Sequence, residues 1–251
     1  REGVALILTK KASAALLSFE PISPRMLKAR FRTRFGAMAI IQVYAPTAAS
    51  KEEDINQFYI DLQRTVDTTA RQDVLIVMGD LNAKVGTDAS AWNGVIGQHG
   101  IGEENERGER LLNFCSCNNL VITNTLFKQT KLQRKWTWTS PDGHTKNLID
   151  FIMINKRWKS DVQSCRSFAA DVGSDHKLVL AKLRLRLKAG TKKQELKRYN
   201  IDRLRDESVR EEFEQSIQNT TTWQEGSNVE QIWSSIKNGI HATAEQVLGQ
   251  D

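Results

Sequence analysis

The chain has 251 residues, 39% of them hydrophobic and 26% charged, a composition that supports a globular core without staples and excludes collagen-like, coiled-coil and wholly disordered chains. Against 30 acidic residues stand 36 Lys and Arg, a formal charge of +6 that favours polyanionic partners. No apolar run reaches the roughly 20 residues that a membrane span needs, so a transmembrane protein is excluded.

The chain opens at Arg1 on REGVALILT, with no charged region ahead of a long apolar one, and reads as a segment of a longer protein without a signal peptide. Val4 to Leu8 predicts a short buried strand. Met26 to Arg34 and Ala37 to Tyr44, broken by Gly36, predict an antiparallel hairpin. Lys51 to Ala70 carries Ile55, Phe58, Tyr59, Leu62 and Val66 at helical spacing. Val74 to Met78 is a continuous apolar run, the signature of a fully buried strand. Asp88 to Gly102 reads as a long loop and Glu106 to Asn118 as a helix. Leu120–Thr123, Trp136–Thr139, Leu148–Ile154, Val162–Phe168 and Leu178–Leu187 are further strands, with a turn at Pro141-Asp142-Gly143.

The composition shifts after Lys188. Residues 191–251 carry 8 Lys and Arg against 11 Asp and Glu, whereas residues 1–190 carry 28 against 19. The later stretch shows helical patterns at Glu207–Asn219 and Val229–Leu248 and no strand signal. Two domains are therefore expected, 1–190 and 191–251, the first of mixed α/β class. Cys115, Cys117 and Cys165 cannot form a complete disulfide framework and lack zinc-ligand spacing. They read as free thiols in a reducing compartment, nuclear or cytoplasmic.

Four polar clusters fall at strand ends. Tyr44 closes the strand before Pro46. Asp80 and Asn82 follow the buried strand, two residues apart, so alternation sends both toward one side. Asp150 sits in an apolar strand, where an ionised carboxylate is unfavourable unless paired or ligated. Asp175 and His176 precede the last strand, and an imidazole there can donate to a developing oxyanion. Alone, each cluster also has a structural reading: a turn, a rim tyrosine, or a solvated strand face.

Taken together, the order Tyr, Asp-x-Asn, Asp, Asp-His resembles the endonuclease/exonuclease/phosphatase superfamily over Gly3 to Leu187. The segments VYAPT, GDLNAKVG, RKWTWTSPDGHTKNLIDFIMI and GSDHKLVLAKLRLRLK are similar to the endonuclease domain of RTE-type non-LTR retrotransposons. The resemblance implies a four-layer αββα sandwich for residues 1–190 and a helical linker, 191–251, toward a covalently linked reverse transcriptase. It implies a Mg2+- or Mn2+-dependent endonuclease that nicks DNA and leaves a 3′-hydroxyl for reverse transcription. In that pattern Asp80 activates the attacking water, Asn82 fixes that water and a phosphate oxygen, and His176 contacts the phosphate. Asp150 holds His176, Tyr44 contacts the phosphate, and Asp175 is a metal-site carboxylate beside Asp80 and Asn82.

The superfamily pattern opens with a strand ending in Asn and another carrying a Gln-Glu motif, and neither has a match here. The expectation is weak metal binding, slow or absent nicking and an unpaired, aggregation-prone sheet edge in this chain. Two alternatives follow: a catalytically impaired DNA-binding remnant, or a phosphoesterase acting on lipid or inositol phosphates. The basic excess of residues 1–190 suits a DNA backbone, with Lys128, Lys131, Arg134 and Lys135 before Trp136 and Trp138. Arg25, Lys28, Arg30, Arg32 and Arg34 form a second basic group. The two Trp residues are read individually as core.

Overall fold

The computed structural model describes residues 2–34, 36–47, 49–168, 173–185, 199–220 and 229–249. The chain divides into two compact units, Arg1–Leu187 and Lys188–Asp251. Unit one runs α1 (Lys10–Ala14), β1 (Leu16–Ser23), β2 (Met26–Thr33), β3 (Gly36–Tyr44), α2 (Glu52–Asp67), β4 (Val74–Asp80) and α3 (Glu106–Cys117). It continues through β5 (Leu120–Ile122), β6 (Trp138–Thr139), β7 (Lys146–Asn147), β8 (Asp150–Asn155), β9 (Val162–Phe168) and β10 (Leu178–Leu183). Unit two holds α4 (Glu207–Thr220) and α5 (Val229–Thr243), with a π-helical turn over Ala244–Leu248.

Six strands form one mixed sheet in the order β1-β2-β3-β4-β8-β5. Only β3 and β4 pair in parallel, and that geometry demands a crossover, which α2 supplies. The α2 helix places Glu52, Glu53 and Asp54 at its positive end and buries Ile55, Phe58 and Leu62. Asn105 caps α3, its side chain accepting from the Gly108 N–H at 2.9 Å, and Leu111, Leu112 and Cys115 face inward. These helices cover one face of the sheet, around Ile41, Val43, Val77 and Met153. On the other face, Val74, Ile76 and Ile154 pack with Trp158, Val162 and the half-buried Leu183, which brings in the β9–β10 pair as a second sheet. Val74 to Val77 are all buried because both faces of β4 are covered. The α/β class with stacked sheets is thus observed, and the acidic later stretch is helical. Its small core gathers Val247 and Leu248 against Tyr199, Leu204, Val209 and Phe213.

Four expectations need correcting. Val4–Leu8 is not a strand; the outer edge of β2 pairs instead with β1, a strand the pattern does not announce. Leu17 and Phe19 of β1 are exposed, and Pro21, with no N–H to donate, is tolerated because β1 is an edge. The expected strand at Trp136–Thr139 shrinks to Trp138–Thr139, and that at Leu148–Ile154 begins at Asp150. The last strand ends at Leu183, and residues 186–187 of the expected span lie outside the described ones. The three cysteines are free. Among the described residues, no helix is long and apolar enough to cross a membrane.

Candidate active site

Register creates the site. β3 and β4 end together, Val43 opposite Gly79 and Tyr44 opposite Asp80. β8 pairs with β4 so that Asp150 stands opposite Asp80. Three of the sequence-predicted residues therefore share one end of the sheet through backbone pairing alone. Gly79 is required there: its φ is +144°, and a Cβ would lie 1.8 Å from the Val43 carbonyl oxygen.

Asp175 and His176 arrive from the other sheet. The Thr139 N–H donates to the Asp175 carbonyl at 3.0 Å, and the Lys177 N–H to the Thr137 carbonyl at 2.7 Å. Thr137 is fully buried, and its hydroxyl accepts from the Ile149 and Asp150 N–H groups, both at 3.1 Å. One residue thus ties the start of β8 to the Asp-His segment, and no sequence signal marks it.

Asp80 Oδ1 accepts from the Asn82 N–H at 2.9 Å. Asn82 is held at φ +47°, and its Nδ2 donates to the Ala45 carbonyl at 2.9 Å. His176 Nδ1 lies 3.0 Å and 3.2 Å from the two Asp150 carboxylate oxygens. A carboxylate only accepts, so Nδ1–H donates and Nε2 is left to face a ligand. Asp80, Asp150 and His176 each offer one ligand atom within 4.8 Å of the others. Tyr44 and Asn82 join Asp80 and His176 in lining a cavity of about 400 Å³. Asp175 is not among the residues lining the cavity; its carboxylate accepts from the Trp138 indole N–H at 2.9 Å. Lys84, Asn105, Trp138 and Asn147 also line the cavity and were not anticipated.

Burial pushes the Asp80 carboxyl up to about 6, and the nearby Asp150 and Asp175 carboxylates push the same way. The Asp150 hydrogen bond raises His176 above its ordinary value. The indole N–H holds Asp175 below the usual carboxylate range. The cavity thus holds Asp80, its ionisation opposed by burial and like charge, beside an imidazole whose proton affinity Asp150 raises. A divalent cation fits this set: the Asp80 and Asp150 carboxylates converge, and the ionised Asp80 is destabilised by burial and like charge that a cation would relieve.

The two basic groups behave differently. In the β2 group, Arg30 pairs with Asp73 at 2.6 Å, Lys28 is buried with Nζ donating to Thr68 Oγ1, and Arg25 contacts Glu2. Lys128 and Lys131 are exposed. Trp136 is buried as expected, with Lys177 Nζ 4.0 Å and Lys146 Nζ 4.7 Å from its ring centre, while Trp138 reaches the cavity.

A craniofacial development protein 2 from Bos taurus is 40% identical over 246 residues, covering 98% of this chain and 40% of that protein. One from Tragulus javanicus is 46% identical over 189 residues, covering 75% of this chain and 32% of that protein. The chain thus spans well under half the length of these curated relatives. Among solved structures, the endonuclease domain of TRAS1, a telomere-specific non-LTR retrotransposon, aligns at 20% identity and TM-score 0.48 over 65% of this chain and 63% of that one. The 3′-5′ exonuclease NExo from Neisseria meningitidis aligns at 16% identity and TM-score 0.49 over 68% of this chain and 72% of that one. The model of one family, described as endonuclease-reverse transcriptase, matches residues 38–180, more than half of the chain. On that match, the chain belongs to the endonuclease-reverse transcriptase family.

Proposed function

We propose that the chain is a metal-dependent phosphodiesterase that nicks DNA and leaves a 3′-hydroxyl, as the endonuclease part of an RTE-type element or a protein derived from one. The observation that carries this reading is the convergence of Asp80, Asp150 and His176 at one end of the sheet. Water attacks the phosphorus in line with the departing 3′ oxygen. Asp80 takes the proton of that water, and Asn82 orients it. His176 donates from Nε2 to a non-bridging phosphate oxygen while Asp150 holds the ring through Nδ1. The Tyr44 hydroxyl donates to a second such oxygen. Magnesium or manganese, held by Asp80 and Asp150, would supply neutralisation of the phosphate charge. Asp175, through the Trp138 indole, fixes the segment that presents His176.

DNA is the proposed partner, drawn by the basic excess of residues 1–190. Residues 191–251 are proposed to lead toward a covalently linked reverse transcriptase. The test is conversion of supercoiled plasmid to the nicked form with magnesium or manganese, run beside hydrolysis of an inositol phosphate. Nicking that a chelator and Asp80→Ala both abolish supports the reading. Turnover of the inositol phosphate alone, or DNA binding with no turnover, overturns it.

A further inference from the structure

The other end of the sheet has an opposite character. Where β8 stops at Asn155, a helical turn spans Lys156–Asp161. It presents Lys156, Arg157 and Lys159 to solvent. With His99 they rim a depression of about 590 Å³ whose apolar wall includes Leu126, Phe127 and Val162. No carboxylate lines it. The ion pairs among the described residues leave all three cations out. Arg157 lies over the Trp158 ring, 5.2 Å from its centre, which restrains the guanidinium in place. Three cations within four residues repel one another, and a polyanion removes that repulsion.

The apolar wall narrows the ligand. Inorganic phosphate has no use for Phe127, whereas a nucleotide brings both a phosphate for the rim and a base for the wall. Lys156 and Arg157 also line a neighbouring depression of about 760 Å³ that includes Arg71. Of the two acids there, Asp73 is already paired with Arg30, and Asp67 accepts from the Gln63 side chain. Two depressions on either side of one basic ridge suit successive nucleotides of a strand better than a single nucleotide. A duplex keeps its bases stacked inside and offers none to Phe127. From Asp150 to Asn155 is five strand steps, about 16 Å, so a phosphate bound at this end is not the one cleaved.

We propose that this end of the sheet binds single-stranded nucleic acid, at a site separate from cleavage. The test is fluorescence anisotropy of a labelled dT12 with the full chain in chelator, for the wild type and the Arg157→Ala/Lys159→Ala variant. Both residues are exposed, and matching thermal midpoints will show that the fold is kept. The variant is expected to bind on the order of tenfold more weakly. Its log–log salt slope should fall by about 1.4, the loss of two phosphate contacts on a single strand. Plasmid nicking should be unchanged, while Asp80→Asn should leave dT12 affinity intact, so failure of the cleavage reading leaves this result standing. Equal affinity and slope in the variant would overturn the proposal. So would competition by ATP as strong as by unlabelled dT12, or a matching loss of affinity for a duplex of the same length.

Discussion

One strand, β8, carries Asp150 at its first residue and Asn155 at its last, and the two ends of the sheet have opposite electrostatics. At the first end, carboxylates converge, and burial drives the Asp80 carboxyl up to about 6. At the second, Lys156, Arg157 and Lys159 gather around a wall with no acid. Elsewhere opposite charges meet: Arg30 with Asp73, and Arg107 and Arg110 with Glu52. The contrast teaches that one strand joins an end where carboxylates gather to an end where cations gather. Stability alone does not require either, since like charges in proximity oppose folding.

The comparison breaks first at the acidic end. His176→Ala is expected to lower cation-dependent plasmid nicking by about 10²–10³-fold, the usual loss when one transition-state donor is removed. Gel-resolved nicking rates check it, and an unchanged rate would remove His176 from the chemistry. Next is the backbone that aligns the site. Gly79→Ala sets a Cβ against the Val43 carbonyl at a φ of +144°. It should reduce unfolding free energy by about 3 kcal/mol or more in urea titrations. Thr137→Val keeps the shape but leaves the Ile149 and Asp150 N–H groups without their acceptor. About 2 kcal/mol of stability should go with it. A loss of nicking larger than the loss of folded protein would show that Thr137 positions the Asp-His segment.

The smallest effect is the most local. Asp150→Asn should bring the His176 pKa down toward its ordinary value, read by NMR; the chain has four histidines, so its resonance can be assigned by comparison. The sign follows from the raised folded-state value. The stability that the Asp150–His176 pair contributes is fully present below the unfolded histidine value of about 6.5 and is lost as pH rises through the folded one. Wild type and variant should therefore differ most at mildly acidic pH and converge above it. A gap that widens with rising pH would contradict the assignment.

Much of the acidic end was legible because its residues are anomalous where they stand. Asp150 interrupts an apolar strand, and Asp80 and Asn82 close a run buried on both faces. Register then brings Asp80 and Asp150 opposite each other, and spacing in the sequence does not encode register. Thr137 escaped notice because its role rests on hydrogen bonds to residues about a dozen positions away and to the Lys177 N–H. The β2 cations were read as a DNA-facing group, yet Lys28 is buried and Arg30 turns to Asp73. A basic strand looks alike in sequence whether its charges meet phosphate or an internal acid. β1 was missed because an edge strand exposed on both faces has no alternation to read.

The central claim is that Asp80 belongs to a cation-dependent cleavage centre. Its most direct test is nicking of supercoiled plasmid by the 251-residue chain and by Asp80→Asn, each with manganese and with chelator. The account predicts nicking only by the wild type with manganese, and a loss of about 10²–10⁴-fold in the variant. Equal nicking by both proteins, or none by the wild type with manganese present, would contradict it.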